Sequence, residues 1–87
     1  MIAEADHPVQ WALMLAELDE VADHIAELRS GLSEDGAISE PDFRIELGHI
    51  YAHLNRIWHS RFGDLNGDDA ENWAKASRFP EDLDPVG

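Results

Sequence analysis

The feature that most limits what this chain can fold into is a pair of apolar stripes at helical spacing. Trp11, Leu15, Leu18, Ala22, Ile25 and Leu32 recur at intervals of three and four, and Arg29 fills the one gap. That spacing keeps one helix face apolar over several turns. Met14, Val21 and Leu28 widen the face on one side. Pro8 suits a first helical position, where a missing N–H loses no partner, with Asp6 or His7 at the cap. Gly31 is the expected stop. A helix of about 23 residues is roughly 35 Å long.

The second stripe is Phe43, Leu47, Ile50, Leu54 and Ile57, flanked by Tyr51 and Trp58. Ser39 is its expected cap, with Glu40 and Asp42 in the first turn, where the helix dipole favours acids. It should run to about Phe62, with Gly63 ending it. The connection, LSEDGAIS, is short. Two amphipathic helices of matched length joined by a short loop form an antiparallel hairpin.

A third segment, GDLNGDDAENWAKASRF, carries one short helix, capped by Asn66 or Asp68 and docked through Ala70, Trp73 and Ala74. The final PEDLDPVG reads as a loosely held acidic tail. The organisation expected is therefore all-α: a single helical domain over 1–79 and a flexible tail over 80–87. With 87 residues and no cysteine, the chain is small and has no disulfide or thiolate to staple it. Two long helices and one short one do not close a core, so a second copy is the expected supplement, giving a four-helix bundle as a homodimer. Met14, Val21, Leu28, Tyr51 and Trp58 are the residues expected at that interface.

Nineteen acidic residues stand against six basic ones, a formal charge of −13. Such a surface repels phosphate backbones and anionic membranes, which need Lys and Arg. It matches a basic protein partner or a cation, and it also favours solubility. No apolar run approaches the length of a membrane span, and no cationic start precedes the first apolar positions, so a cytoplasmic protein is expected.

Two stretches resemble known motifs. Asp35-Gly36-Ala37-Ile38-Ser39-Glu40-Pro41-Asp42 resembles part of an EF-hand loop, with the acid, the turn glycine and the apolar residue in register. The first position of that loop falls on Gly31, which offers no ligand oxygen, and the third on Ser33. Too few carboxylates remain for calcium. Glu17-Leu18-Asp19-Glu20 with Glu46-Leu47-Gly48-His49 resembles the paired acidic motifs of the MazG-type nucleotide pyrophosphohydrolases, an all-helical family. That resemblance implies Mg²⁺ held by Glu17, Glu20 and Glu46. His49 stands where the family has Asp, and imidazole suits Mg²⁺ poorly.

The histidines are the remaining candidates for chemistry. His49 and His53 are one turn apart on the second helix, on the same flank as Glu46. His24 and Glu17 lie on the flank of the first helix that an antiparallel hairpin brings opposite, with Glu20 a little further out. His59 points away from the stripe, and His7 precedes the helices. His24, His49 and His53, with Glu20 and Glu46 nearby, have the make-up of a transition-metal site, Zn²⁺ first and Ni²⁺, Cu²⁺ or Fe²⁺ as alternatives. The alternative is a hydrogen-bonded rim beside a protein interface. No nucleophile–base pair or phosphate loop is present. The leading expectation is thus a non-enzymatic, self-associating interaction module without a cofactor. The competing one is a metal-binding protein or a metal-dependent enzyme.

Overall fold

A computed structural model describes residues 1–62 and 74–87. Helix α1 spans Pro8–Asp35 and helix α2 spans Glu40–His59, packed against each other as a hairpin. A single helical turn at 74–76 follows. The expected caps at Asn66 or Asp68, the docking residues Ala70 and Trp73, and the stop at Gly63 lie outside the described residues.

α1 begins where the proline suggests, with His7 at the cap and its carbonyl accepting from Trp11 N at 2.9 Å. It does not stop at Gly31 but runs four residues further. Gly36 caps it in the left-handed conformation (φ 66°), donating its N–H to the Leu32 carbonyl at 3.0 Å. The reason is backbone sterics. A glycine inside a helix costs about 1 kcal/mol relative to alanine, which the following turn and its cap outweigh. A left-handed cap, by contrast, favours a residue with no Cβ. Gly31 has open space where a Cβ would stand. Gly31→Ala should therefore stabilise the fold by about 0.5–1 kcal/mol, whereas Gly36→Ala should cost about 1 kcal/mol or more. Urea unfolding of the two variants should shift in opposite directions.

α2 starts as its sequence suggests. The Ser39 hydroxyl accepts from Asp42 N at 3.2 Å, and Glu40 and Asp42 occupy the first turn. It ends at His59 rather than Phe62, with Ser60 N bonded back to the Arg56 carbonyl at 3.0 Å.

Val21 and Ile50 are the buried apolar residues of the hairpin seam. Around that seam each helix presents two flanks, because successive residues turn by about 100°. On one flank stand Leu18, Ile25 and Leu32 from α1 and Phe43, Leu47 and Leu54 from α2. On the other stand Glu17, Glu20, His24 and Glu27 from α1 and Glu46, His49, His53 and Arg56 from α2. Of the residues expected at a dimer interface, Val21 is inside the hairpin, Met14, Leu28 and Trp58 are half-buried, and Tyr51 is exposed.

The C-terminal segment folds back on α2. Asn55 Nδ2 donates to the Ser77 carbonyl and Arg56 to the Ser77 hydroxyl, both at 2.9 Å. Ala76 and Pro80 are buried. Asp82, within the expected flexible tail, accepts from Trp58 Nε1 at 2.9 Å and from Arg61 at 3.2 Å, and the Arg61 guanidinium lies 3.7 Å over the Trp58 ring. The Trp58 hydrogen bond, seconded by the Arg61 charge, lowers the Asp82 carboxyl below its ordinary value. A lowered carboxyl contributes stability above its unfolded value and loses it as pH falls through the folded one. Release of the tail on acidification is the expected result, read as faster proteolysis at 80–87 below about pH 4. Asp82→Asn should show the faster cleavage already at neutral pH.

Candidate metal centre

The antiparallel packing sets α1 and α2 side by side with opposite polarity. His24, midway along α1, comes level with His49 on α2, and Glu17 and Glu20, one to two turns earlier, come level with His53. His49 and His53 are successive steps on one face of α2. Three imidazoles thus converge from two rigid elements.

The geometry is specific. His49 Nε2 lies 3.1 Å from His24 Nε2 and 3.1 Å from His53 Nε2. The ligand atoms of all three lie within 4.8 Å of one another. The His49 ring stands nearly perpendicular to each of the others, at 85°, while the His24 and His53 rings are closer to parallel, at 26°. His53 is buried, His24 half-buried and His49 exposed, so the cluster runs from the interior to solvent.

Behind the cluster, His53 Nδ1 contacts a Glu17 carboxylate oxygen in a short hydrogen bond and lies 3.4 Å from Glu20 Oε2. Arg56 reaches the same place: its Nε is 3.7 Å from Glu17 Oε1, and a terminal nitrogen is 3.1 Å from His53 Nδ1. Glu17 only accepts and Arg56 only donates, so Nδ1 serves one of them at a time; with the ring proton on Nδ1 it is donated to Glu17. That choice leaves the Nε2 lone pair of His53 facing the other two rings. His24 Nδ1 is 4.0 Å from Glu27 on its outer side.

With three neutral rings, two-centre hydrogen bonds do not satisfy both contacts at once. His49 Nε2 has a single in-plane direction, holding either a proton or a lone pair. It faces two other Nε2 atoms, and His53 has only a lone pair to offer. If His49 donates to one ring, it has nothing for the second. One cation bound by all three Nε2 lone pairs would satisfy them together. An ion with metal–nitrogen bonds of about 2.0–2.1 Å holds neighbouring ligand nitrogens roughly 2.9–3.4 Å apart. The donor chemistry also fits: neutral imidazoles suit Zn²⁺, Cu²⁺, Ni²⁺ or Fe²⁺, and a carboxylate on the far ring nitrogen orients and strengthens the ligand.

Glu17 is the contributor that the spacing argument for the histidine site passed over. The sequence places it on the flank of His24 without assigning it to the site, and the structure brings it against His53. Glu46 is placed otherwise. It lines a cleft of about 250 Å³ with His24, Glu27, Leu28, Ile45 and His49, beside the imidazoles. The half-loop around Asp35 lies at the turn of the hairpin, where the Asp42 N–H is used by Ser39 and Gly36 closes α1.

Fold and site together define a helical hairpin carrying a three-imidazole cluster with a carboxylate behind it. Comparisons with protein-family models, with curated proteins and with solved structures return no match. Among the described residues no helix is long and apolar enough to cross a membrane.

Proposed function

We propose that this chain is a metal-binding protein that holds one divalent transition-metal ion on His24, His49 and His53. The observation that carries the reading is the Nε2 geometry: one nitrogen 3.1 Å from two others, the spacing that nitrogens sharing a single ion take. Glu17 acts behind His53, holding its proton on Nδ1 and its orientation toward the ion. Three nitrogen ligands leave at least one position for water or another donor, on the side where His49 meets solvent. Glu20, within reach of His53 Nδ1, supports the same ring rather than the ion.

The Mg²⁺ reading draws less support. Glu17 is already engaged by His53 and Arg56, and a guanidinium beside that carboxylate opposes a second cation there.

Titration of the untagged chain with Co²⁺, followed by its visible absorption, tests the proposal. The expected result is saturation at one ion per chain, with bands of a four- or five-coordinate nitrogen site, and displacement by Zn²⁺. Binding no tighter than that of a variant lacking His49 and His53 overturns it. Because imidazoles ligate only when neutral, affinity should fall as pH drops, approaching a limiting slope of up to about three decades per pH unit when three ligands protonate together. A pH-independent affinity would place the ion elsewhere.

A further inference from the structure

The flank of the hairpin opposite the histidines is apolar and, among the described residues, uncovered. Ile25 is 49% exposed, Leu18 46% and Leu54 40%, and Leu32 and Phe43 are also counted among the exposed large side chains. Among the described residues the buried apolar set is only Val21, Ile50 and Ala76. A contiguous apolar face of this extent marks an interaction surface. Near the hairpin turn it forms a groove of about 440 Å³ lined by Ile25, Leu28, Leu32, Phe43 and Leu47.

We propose that this face is covered by a second copy of the chain, two hairpins pairing across a two-fold axis as a four-helix bundle. Three observations select this occupant. The first is area. About 20 residues of each helix span roughly 30 Å, and two helices about 10 Å apart present a strip roughly 20 Å wide. That is roughly 600 Å² per chain, or about 1,200 Å² for a pair, the lower end of what a stable interface needs.

The second is charge. A chain of net charge −13 should repel its copy, yet this flank carries no carboxylate from Leu18 to Leu32 or from Phe43 to Leu54. Its rims hold Arg29 and Arg44, the latter 3.4 Å from the Glu40 carboxylate, and the acids Glu17, Glu20, Glu27 and Glu46 stand on the other flank. Two copies facing each other through this flank therefore keep most of their acids apart, and the repulsion expected from their net charge is reduced.

The third concerns the chain's own tail. Phe79 and Leu83 line a hollow with Tyr51, Leu54 and Trp58 at the far end of α2, and Asp82 is held by Trp58 and Arg61, so residues 79–83 are engaged away from the groove.

Pairing on this flank places the two imidazole clusters outward, on opposite sides of the bundle. Self-association and metal binding are then separate properties, and either one failing leaves the other standing.

The experiment is sedimentation equilibrium of the metal-free chain, with Ile25→Arg and Ile45→Arg as a pair of variants. Ile45 is equally apolar and more exposed, at 69%, but lies on the histidine flank. The wild-type chain and Ile45→Arg should sediment at 19.6 kDa, twice the 9.8 kDa chain mass. Ile25→Arg should be monomeric or unfolded at the same micromolar concentration. Unfolding supports the proposal as firmly as a monomer does, because a half-exposed position on a lone hairpin would accept arginine at little cost. A folded wild-type monomer overturns the proposal, and so does a dimer that survives Ile25→Arg. Complex formation with a basic peptide by a wild-type chain that remains monomeric would assign the face to another partner and overturn it equally.

Discussion

Replacing His49 and His53 together with alanine should abolish tight transition-metal binding while leaving the helices in place. The free energy of a structural Zn²⁺ site, about 10–16 kcal/mol, is shared among about four ligands, so each contributes roughly 3 kcal/mol, or about 100-fold in affinity. Losing two should weaken binding by about 10⁴-fold. The two positions differ in what else they support. His49 is exposed, and its hydrogen-bond contacts among the described residues are to the other imidazoles, so its removal alone should cost affinity and little stability. His53 is 5% exposed and touches Glu17, Glu20 and Arg56, so its removal should cost both. Calorimetric titration with Zn²⁺ and urea unfolding of the metal-free proteins separate the two effects. If the His49→Ala chain binds Zn²⁺ as tightly as the wild type, the three-imidazole site is wrong.

Glu17→Ala should give the second large effect, on two readouts at once. Glu17 donates nothing to the ion itself; it is a positioning residue that acts through His53. Loss of such an outer carboxylate typically weakens metal binding 10–100-fold. The same side chain faces the buried Arg56 guanidinium, whose remaining contacts include the Ser77 hydroxyl at 2.9 Å. Removing the anion from beside a buried cation should destabilise the metal-free fold by about 2 kcal/mol. Glu17→Gln separates the roles. It keeps an acceptor for the His53 ring proton and loses the charge, so it should recover much of the metal affinity and little of the stability. Equal losses in both variants would point to charge alone, and metal affinity unchanged in both would remove Glu17 from the site.

Much of this was readable from the chain as a string. The period of the apolar residues sufficed for two helices and their polarity, and Pro8 and Ser39 marked both starts. The facing of His24 with His49 followed from helical rise and a loop centred near Gly36. Other features were not readable, for physical reasons. Gly31 looked like a stop because glycine commonly ends helices, but a left-handed cap depends on backbone conformation, and Gly36 took that role. Val21 looked like an outward residue because the stripe on α1 is broad. Which part of a broad stripe faces inward depends on where α2 lies, and packing turned Val21 to the seam and Ile25 to solvent. The tail looked loose because it is short and acidic. Asp82 is placed by Trp58 and Arg61, more than twenty residues away in sequence, and no local pattern announces that contact.

The sequence by itself determined the class of fold, the two-sided character of each helix and the residue types available for chemistry, because those follow from periodicity and composition. Tertiary structure alone decided that three imidazoles cluster with their ligand atoms within 4.8 Å, that a carboxylate stands behind the buried ring, and which apolar flank is exposed among the described residues. These are relations between helices. They depend on the rotation of one helix against the other, where a turn of a few tens of degrees exchanges a buried side chain for an exposed one.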